Sequence, residues 1–417
     1  MFPGFSAALS ALSADSNAID VSGNNLANLN TPGYKSVEVE FYDLMSQNLG
    51  AAVNPAQVGM GVGPILTSSN YVQGGITNTN GPTDAAIEGD GFFVVRDASG
   101  QTLYTRDGGF QLDSSGNLIT ATGQMVQGWT AVNGTVNPNG PVGNLNVPLG
   151  TMIPGTETTT MNLNVNLDAG APTSGTGSTF STPIQVYDSL GSPHTLTVNF
   201  TKTGTNAWQY TVTLPSADLT AGSSAPLATG SLTFDGSGNL TSPAATDGPV
   251  AIAISGLSDG ANDMTINWNL FDSSGNGNIT QLSDTSTLEG DTQDGAAAGQ
   301  INNVSLQNGG LLVASYSNGQ QVTIGQLALA SIQNPNSLIS VGENNLKASA
   351  ATAPPAVGAA NTGARGQIVG GALEGSTSDM ASEFTNLLTY ERSYQAAARV
   401  ITTGDTMLQD TLNMIQG

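Results

Sequence analysis

Apolar residues recur in alternating steps of four and three at both ends of the chain, and in steps of two through its middle. From residue 4 to 29 they fall at Phe5, Leu9, Leu12, Ile19 and Leu26, with Ser16 and Gly23 at the intervening positions. This is a heptad seam, and it predicts a helix that Pro32-Gly33 ends. The C-terminal stretch keeps the alternation for longer, through Met380, Phe384, Leu387, Tyr394, Ala398, Ile401, Leu408, Leu412 and Ile415, broken only by Glu391 and Asp405. Residues 378–415 hold no proline and a single glycine, Gly404. They predict one helix of about 55 Å, with Thr377 or Ser378 placed to cap its start.

The interior reads as strands. Runs such as Gly91 to Arg96, Leu103 to Thr105, Gly109 to Leu112 and Leu118 to Thr120 alternate with turns between residues 86 and 128. The turn Asp113-Ser-Ser-Gly-Asn117 returns as Asp235-Gly-Ser-Gly-Asn239 and Asp272-Ser-Ser-Gly-Asn276; such clusters between apolar runs signal hairpins. A second strand-rich region covers 181–285, bounded by a Thr/Gly/Asn-rich stretch at 151–180 and by 286–300, which reads as a return crossing. Strands resume over 301–346, and 347–375 is rich in Ala, Gly and Pro. The predicted fold is α+β, mainly β, with nested β domains between heptad helices. Residues 1–30 with 376–417 form the helical part and 31–72 with 347–375 a linker region. Residues 73–150 with 300–346 form an inner β domain, and 151–299 an inserted outer one. Terminal seams need a partner, either each other or other copies of the chain.

Composition narrows the function. Only 9% of the 417 residues are charged, and 31 acidic residues face 8 basic ones, a net charge of −23. Phosphate backbones and anionic lipid surfaces are repelled, so neither nucleic acid nor a membrane surface is an expected partner. No apolar run is long enough for direct membrane insertion. The absence of cysteine excludes disulfides, thiolate metal sites and cysteine nucleophiles. The first twenty residues lack a basic segment followed by a solid apolar one, so export, if any, is expected without a cleaved Sec signal peptide.

Candidate chemistry is sparse. His194 is the only histidine, so no multi-histidine site is possible within one chain; it reads as a strand or turn residue. The Asp-x-Ser-Gly-Asn turns lack the distal glutamate of a calcium loop. Gly59-x-Gly61-x-Gly63 lacks the Lys-Ser/Thr pair of a phosphate loop and reads as extended linker. No local spacing suggests the paired carboxylates of a cell-wall hydrolase. No catalytic, metal or cofactor-binding residue is expected. Asn24, Asn25, Asn28 and Asn30 crowd the end of the first helix, where amide side chains suit caps and corners.

The stretch Ser22-Gly-Asn-Asn-Leu-Ala-Asn-Leu-Asn-Thr-Pro-Gly-Tyr-Lys35 closely resembles the N-terminal signature of the flagellar rod, hook and hook-associated axial proteins. Gly366 to Glu374 followed by Leu387 to Met414 resembles the matching C-terminal segment of that family. Gly89 to Val95, Tyr104 to Phe110 and Gly123 to Trp129 resemble its shared β domain. The insertion, with Val186 to Gly191, His194 to Val198 and Trp208, resembles the outer domain of hook proteins. The resemblance implies a hook subunit that assembles into a helical tube, its terminal helices pairing as a coiled coil in the polymer. It is expected outside the cell, carried there by the flagellar export apparatus. The implied partners are further copies of itself, the distal rod protein, the hook-associated junction protein and the hook cap. The self-assembly residues it implies are Phe5, Leu9, Leu12, Ile19, Leu26, Asn25, Asn28, Pro32, Gly33 and Tyr34. At the other end they are Met380, Phe384, Leu387, Tyr394, Ile401, Leu408, Leu412 and Ile415. Residues 43–63 are longer than the compact hook pattern, and rod proteins carry an extension there too, so a distal rod protein is the alternative. Removing residues 1–25 or 385–417 should abolish polymerisation while the β domains still fold; sedimentation with circular dichroism of each truncated chain would show this, and tubes from either would refute it.

Overall fold

The computed structural model describes residues 3–44, 47–49, 56–220 and 225–416. Its turns follow directly from side-chain chemistry. In each of the three Asp-x-Ser-Gly-Asn repeats one carboxylate oxygen accepts the backbone N–H groups two and four residues on, all at 2.8 Å. The same carboxylates also accept from the closing Asn side chains. Held by these Asn side-chain and backbone donors, Asp113, Asp235 and Asp272 all have pKa values below the usual carboxylate range. The carboxylates are spent on their own turns, and two of these turns join antiparallel strands directly: Phe110–Leu112 to Leu118–Thr120 and Ala228–Phe234 to Leu240–Ser242.

The chain divides into two compact units, one of residues 1–149, 304–314 and 322–417, the other of residues 150–303 and 315–321. In the first, the central strand Phe92–Arg96 pairs antiparallel with Thr102–Thr105 on one side and Met125–Thr130 on the other. The sheet continues through Asn345–Lys347 beyond the former and Gln321–Leu327 beyond the latter. Phe92 and Val94 pack with Tyr104, Trp129 and Ile332 on one face, while Phe93 meets Phe110 edge-on at 5.1 Å on the other. Segments read as linker also carry paired strands. Val37–Glu40 pairs with Leu66–Ser69, Gln367–Gly370 with Ala85–Glu88, and Ala372–Glu374 with Ile76–Asn78.

The second unit is a sandwich. One sheet is a five-stranded antiparallel meander in the order Thr179–Tyr187, Pro193–Gly204, Ala207–Thr213, Ala228–Phe234, Leu240–Ser242. The other centres on Thr160–Asn166, which runs parallel to Met264–Asn269 and antiparallel to Thr287–Gln293. Sequence reasoning took 151–180 as a boundary and 286–300 as a crossing; both contain strands of this sheet. The signal was present, since Met161, Leu163, Val165 and Leu167 alternate with polar residues and all four are buried. Trp268 joins the two sheets, edge-on to Phe200 at 6.2 Å and Tyr210 at 5.2 Å.

Two helices complete the first unit, α1 (Pro3–Ala27) and α2 (Met380–Gln416). The cap of α2 is neither Thr377 nor Ser378. Asp379 takes it, accepting the N–H of Ser382 at 2.8 Å, because a carboxylate also favours the positive end of the helix. Thr377 instead accepts the N–H of Ser36 at 2.8 Å. Along α2 the hydroxyls of Thr385, Thr389, Thr402, Thr403, Thr406 and Thr411 all donate to carbonyls three or four residues back. So much β-branching weakens intrinsic helicity, and α2 relies on packing for its stability. Phe200, fully buried in the sandwich core, should cost about 3–5 kcal/mol of stability when changed to Ala; urea unfolding monitored by Trp fluorescence would read that loss.

Candidate assembly site

The site is built from the corner where α1 gives way to strand. After Ala27 the chain turns back, with the Asn28 side chain donating to Asn24 O at 2.9 Å and Thr31 Oγ1 donating to Asn28 Oδ1 at 3.0 Å. Pro32 then presents its carbonyl to the Asn344 amide at 2.7 Å. Gly33 has φ +67°, and a Cβ there would sit 2.5 Å from the Arg106 carbonyl carbon, so both backbone conformation and space demand glycine. Asn25, 1% exposed, is the hub. Its Oδ1 accepts from the Tyr34 hydroxyl at 3.0 Å and Val37 N–H at 2.9 Å. Its Nδ2 donates to Val37 O at 2.8 Å and to Glu383 of α2 at 2.9 Å. One amide thus joins both helices to the strand that follows the corner.

Beside it lies a buried charge network that sequence reasoning did not single out. Glu374 has no exposed side-chain surface and accepts from Lys35 Nζ at 2.6 Å and Arg106 Nη1 at 3.2 Å, and from Gly74 N–H at 2.9 Å. Arg106 also donates to Gly89 O at 2.9 Å and lies over the Phe92 ring. Burial lowers the Lys35 pKa, with Glu374 opposing that shift. All three lie inside stretches that carried the family resemblance, and the available signal was scarcity: in a chain with 8 basic residues, a lone Lys or Arg among glycines and apolar residues is conspicuous.

The helices pack antiparallel, Asn25 against Glu383 at one end and Phe5 against Gly404 at the other. On α1 the buried face is not the predicted seam but its neighbour, displaced by one residue: Ala8, Asp15, Ala18, Ser22 and Asn25 are buried. Small side chains let the helix axes approach closely. Phe5, Leu12, Ile19 and Leu26 are half-buried and Leu9 is 57% exposed. On α2, Leu387 and Ile401 are half-buried, whereas Met380, Phe384, Tyr394, Leu408 and Leu412 are exposed. Ile415 lies in α2, but its side chain is outside the described residues. An apolar groove of about 580 Å³ runs where the helices meet, lined by Phe5, Val400, Met407 and Leu408 among others.

The 43–63 segment, of which 45, 46 and 50–55 lie outside the described residues, bears on the same helices. A Cβ at Gly61 would stand 2.9 Å from Ala7 Cα, and Val62 N–H donates to Ser10 Oγ at 3.1 Å. Phe41 meets Tyr390 of α2 at 5.8 Å. Of the glycines read as linker here, Gly61 serves close approach to α1, and Gly63 packs against the Tyr42 ring.

A polar corner, a buried charge knot and a helix pair with bulky apolar residues left outside describe a subunit built to be packed by others. Family models agree along the chain. Residues 5–35 match the flagella basal body rod protein model and residues 86–168 the flagellar hook protein FlgE/F/G D1 domain. Residues 162–296 match the flagellar basal body protein FlaE D2 domain, and residues 369–414 the flagellar basal body rod FlgEFG protein C-terminal model. These are axial proteins of the flagellum. The flagellar hook protein FlgE of Treponema pallidum is 34% identical over 95% of this chain and 96% of its own length. That of Escherichia coli is 32% identical over 98% and 99%. A crystal structure of Helicobacter pylori flagellar hook protein FlgE2 superposes with a TM-score of 0.46 at 14% identity, covering 65% of this chain and 93% of that one. The chain belongs to the flagellar hook protein family.

Removing the Glu374 carboxylate strands two buried cations. Glu374→Ala should therefore lose about 3–5 kcal/mol in urea unfolding. Thr241→Asp, at an exposed position whose hydroxyl donates to Thr233 O at 2.9 Å, should cost only about 0.5–1.5 kcal/mol.

Proposed function

We infer that this chain is a structural subunit of the bacterial flagellar hook, a tubular homopolymer that passes torque from rod to filament as a flexible joint, and that it has no catalytic activity of its own. The observation that carries the reading is the helix pair. It buries a stripe of small and polar residues and leaves Leu9, Phe384, Leu408 and Leu412 on its surface, where neighbouring copies can cover them. Repeated head-to-tail contacts of this kind build an open helix instead of a closed ring. The helices line the inner tube, and β structure lies outside them. The predicted assembly residues divide into two roles: Asn25, Asn28, Pro32, Gly33 and Tyr34 set the corner within a subunit, and the apolar positions make contacts between subunits.

The distal rod alternative rested on the length of 43–63. It is not favoured, because the relatives matched over nearly the full chain are hook proteins and residues 162–296 match the D2 model. Among the described residues no helix is long and apolar enough to cross a membrane. Delivery through the flagellar export apparatus, and end contacts with the distal rod protein, the junction protein and the hook cap, complete the proposal.

Leu412 is 57% exposed and lies outside the groove between the helices, so Leu412→Asp should leave subunit stability within about 0.5 kcal/mol. Burying that charge in a polymer contact is costly, so tube formation should fall at least ten-fold by sedimentation. Electron micrographs of the wild-type polymer should show curved tubes. Straight tubes, or full assembly of the variant, would overturn the reading.

A further inference from the structure

Four side chains converge at one end of the sandwich unit, and none of them has a role assigned above. Asp188 lies in the turn after strand Thr179–Tyr187 and His194 on strand Pro193–Gly204. Asp218 ends the short 3-10 turn Ser216–Asp218, and Asp259 lies in the loop after Val250–Ile254. His194 is 7% exposed and Asp188 0%. His194 Nδ1 is 3.3 Å from Asp218 Oδ2, and its Nε2 is 3.2 Å from Asp188 Oδ2 and 3.5 Å from Asp259 Oδ2. The other oxygen of Asp188 accepts the Leu190 and Ser192 N–H groups, both at 2.8 Å. That of Asp259 accepts the Ala261 N–H at 3.1 Å. Asp188 and Asp259 therefore each spend one oxygen on their own turns and aim the other at the imidazole, and these two oxygens and Nε2 all lie within 4.8 Å of one another.

Counting protons exposes a deficit. Asp218 takes the Nδ1 hydrogen. Nε2 carries at most one more, and ionised carboxylates donate none. Nε2 thus has two carboxylate oxygens within 3.5 Å and at most one hydrogen to give them, and Asp188 is wholly out of water. A divalent cation satisfies all three atoms at once. Tetrahedral bonds of about 2.0–2.1 Å place ligand atoms about 3.3–3.4 Å apart, and the Nε2-to-carboxylate spacings of 3.2 and 3.5 Å bracket that edge. A carboxylate on the far ring nitrogen is the usual orienting partner of a metal-bound histidine. A nitrogen donor selects a transition metal over calcium or magnesium, which take oxygen shells.

We propose that Asp188, His194 and Asp259 form a zinc site, with Asp218 orienting the imidazole and water completing the tetrahedron at the exposed Asp259 edge. The ion ties the first turn of the meander sheet to the loop of residues 255–263 in the opposite sheet, bracing the end of the sandwich. The rival occupant is a proton. Zinc needs a neutral imidazole and ionised carboxylates, so it competes with protons and binds more weakly in acid.

The test takes the full-length chain after chelator treatment and titrates it with Zn²⁺, and with Co²⁺ for its visible absorption. The expected result at pH 7.5 is one equivalent bound, intense four-coordinate cobalt bands, and a Tm that climbs with zinc concentration but not with calcium. Asp259→Asn keeps an oxygen for Ala261, so it should leave the metal-free Tm near the wild-type value and weaken zinc at least ten-fold; Asp218→Asn should weaken it about 10–100-fold. Failure of the metal-free wild-type chain to bind one equivalent would overturn the proposal. So would equal affinity in wild type and Asp259→Asn, or a His194 ring that NMR shows doubly protonated in excess zinc.

Discussion

A carboxylate sealed from water must be matched wherever it sits, and Glu374 is matched by Lys35 and Arg106. These residues come from the entry to the β structure, its interior and the approach to α2. An unpaired buried charge costs several kcal/mol, so the three stretches cannot separate without a large penalty. Gly33 fits against the Arg106 backbone and donates to Glu374 O, which fixes the path of the chain as it leaves α1. The direction in which α1 and α2 project is thus set by a short-range electrostatic requirement.

The amphipathic ends of the molecule were legible because a period of three and four survives any detail of packing, and the helices appear within two residues of the expected bounds. The choice of face was not. Bulky residues advertise themselves in a periodicity count, while Ala8, Ala18 and Ser22 do not, although small residues are what a close helix pair selects. The seam that is loud in the sequence is only half covered within the single chain. The strand Thr160–Asn166 went unread for another reason. Its threonine- and asparagine-rich flanks mimic a boundary, and two-residue alternation of Met161, Leu163 and Val165 is easily masked by polar partners that face out of the sheet. Lys35, Arg106 and Glu374 are separated by up to 339 positions, and no local pattern announces that they meet.

Two kinds of interaction thus divide the labour. Directional bonds among Asn25, Tyr34, Val37 and Glu383 set geometry within one subunit, where tolerance is small. Non-directional apolar surface is kept for the outside of the helix pair, where a neighbour can slide by an ångström and still exclude water. A joint that must bend as it turns needs that division, since contacts between subunits have to stretch and shorten while each subunit keeps its form.

The threonines of α2 bear on the cost of covering that helix. Six hydroxyls that donate back to their own helix have their hydrogens committed before any neighbour arrives. When water leaves such a surface, no donor is orphaned and no matching acceptor is demanded of the incoming chain. Those six positions can therefore be covered by a neighbour without asking it for an acceptor, their methyl groups free to be buried.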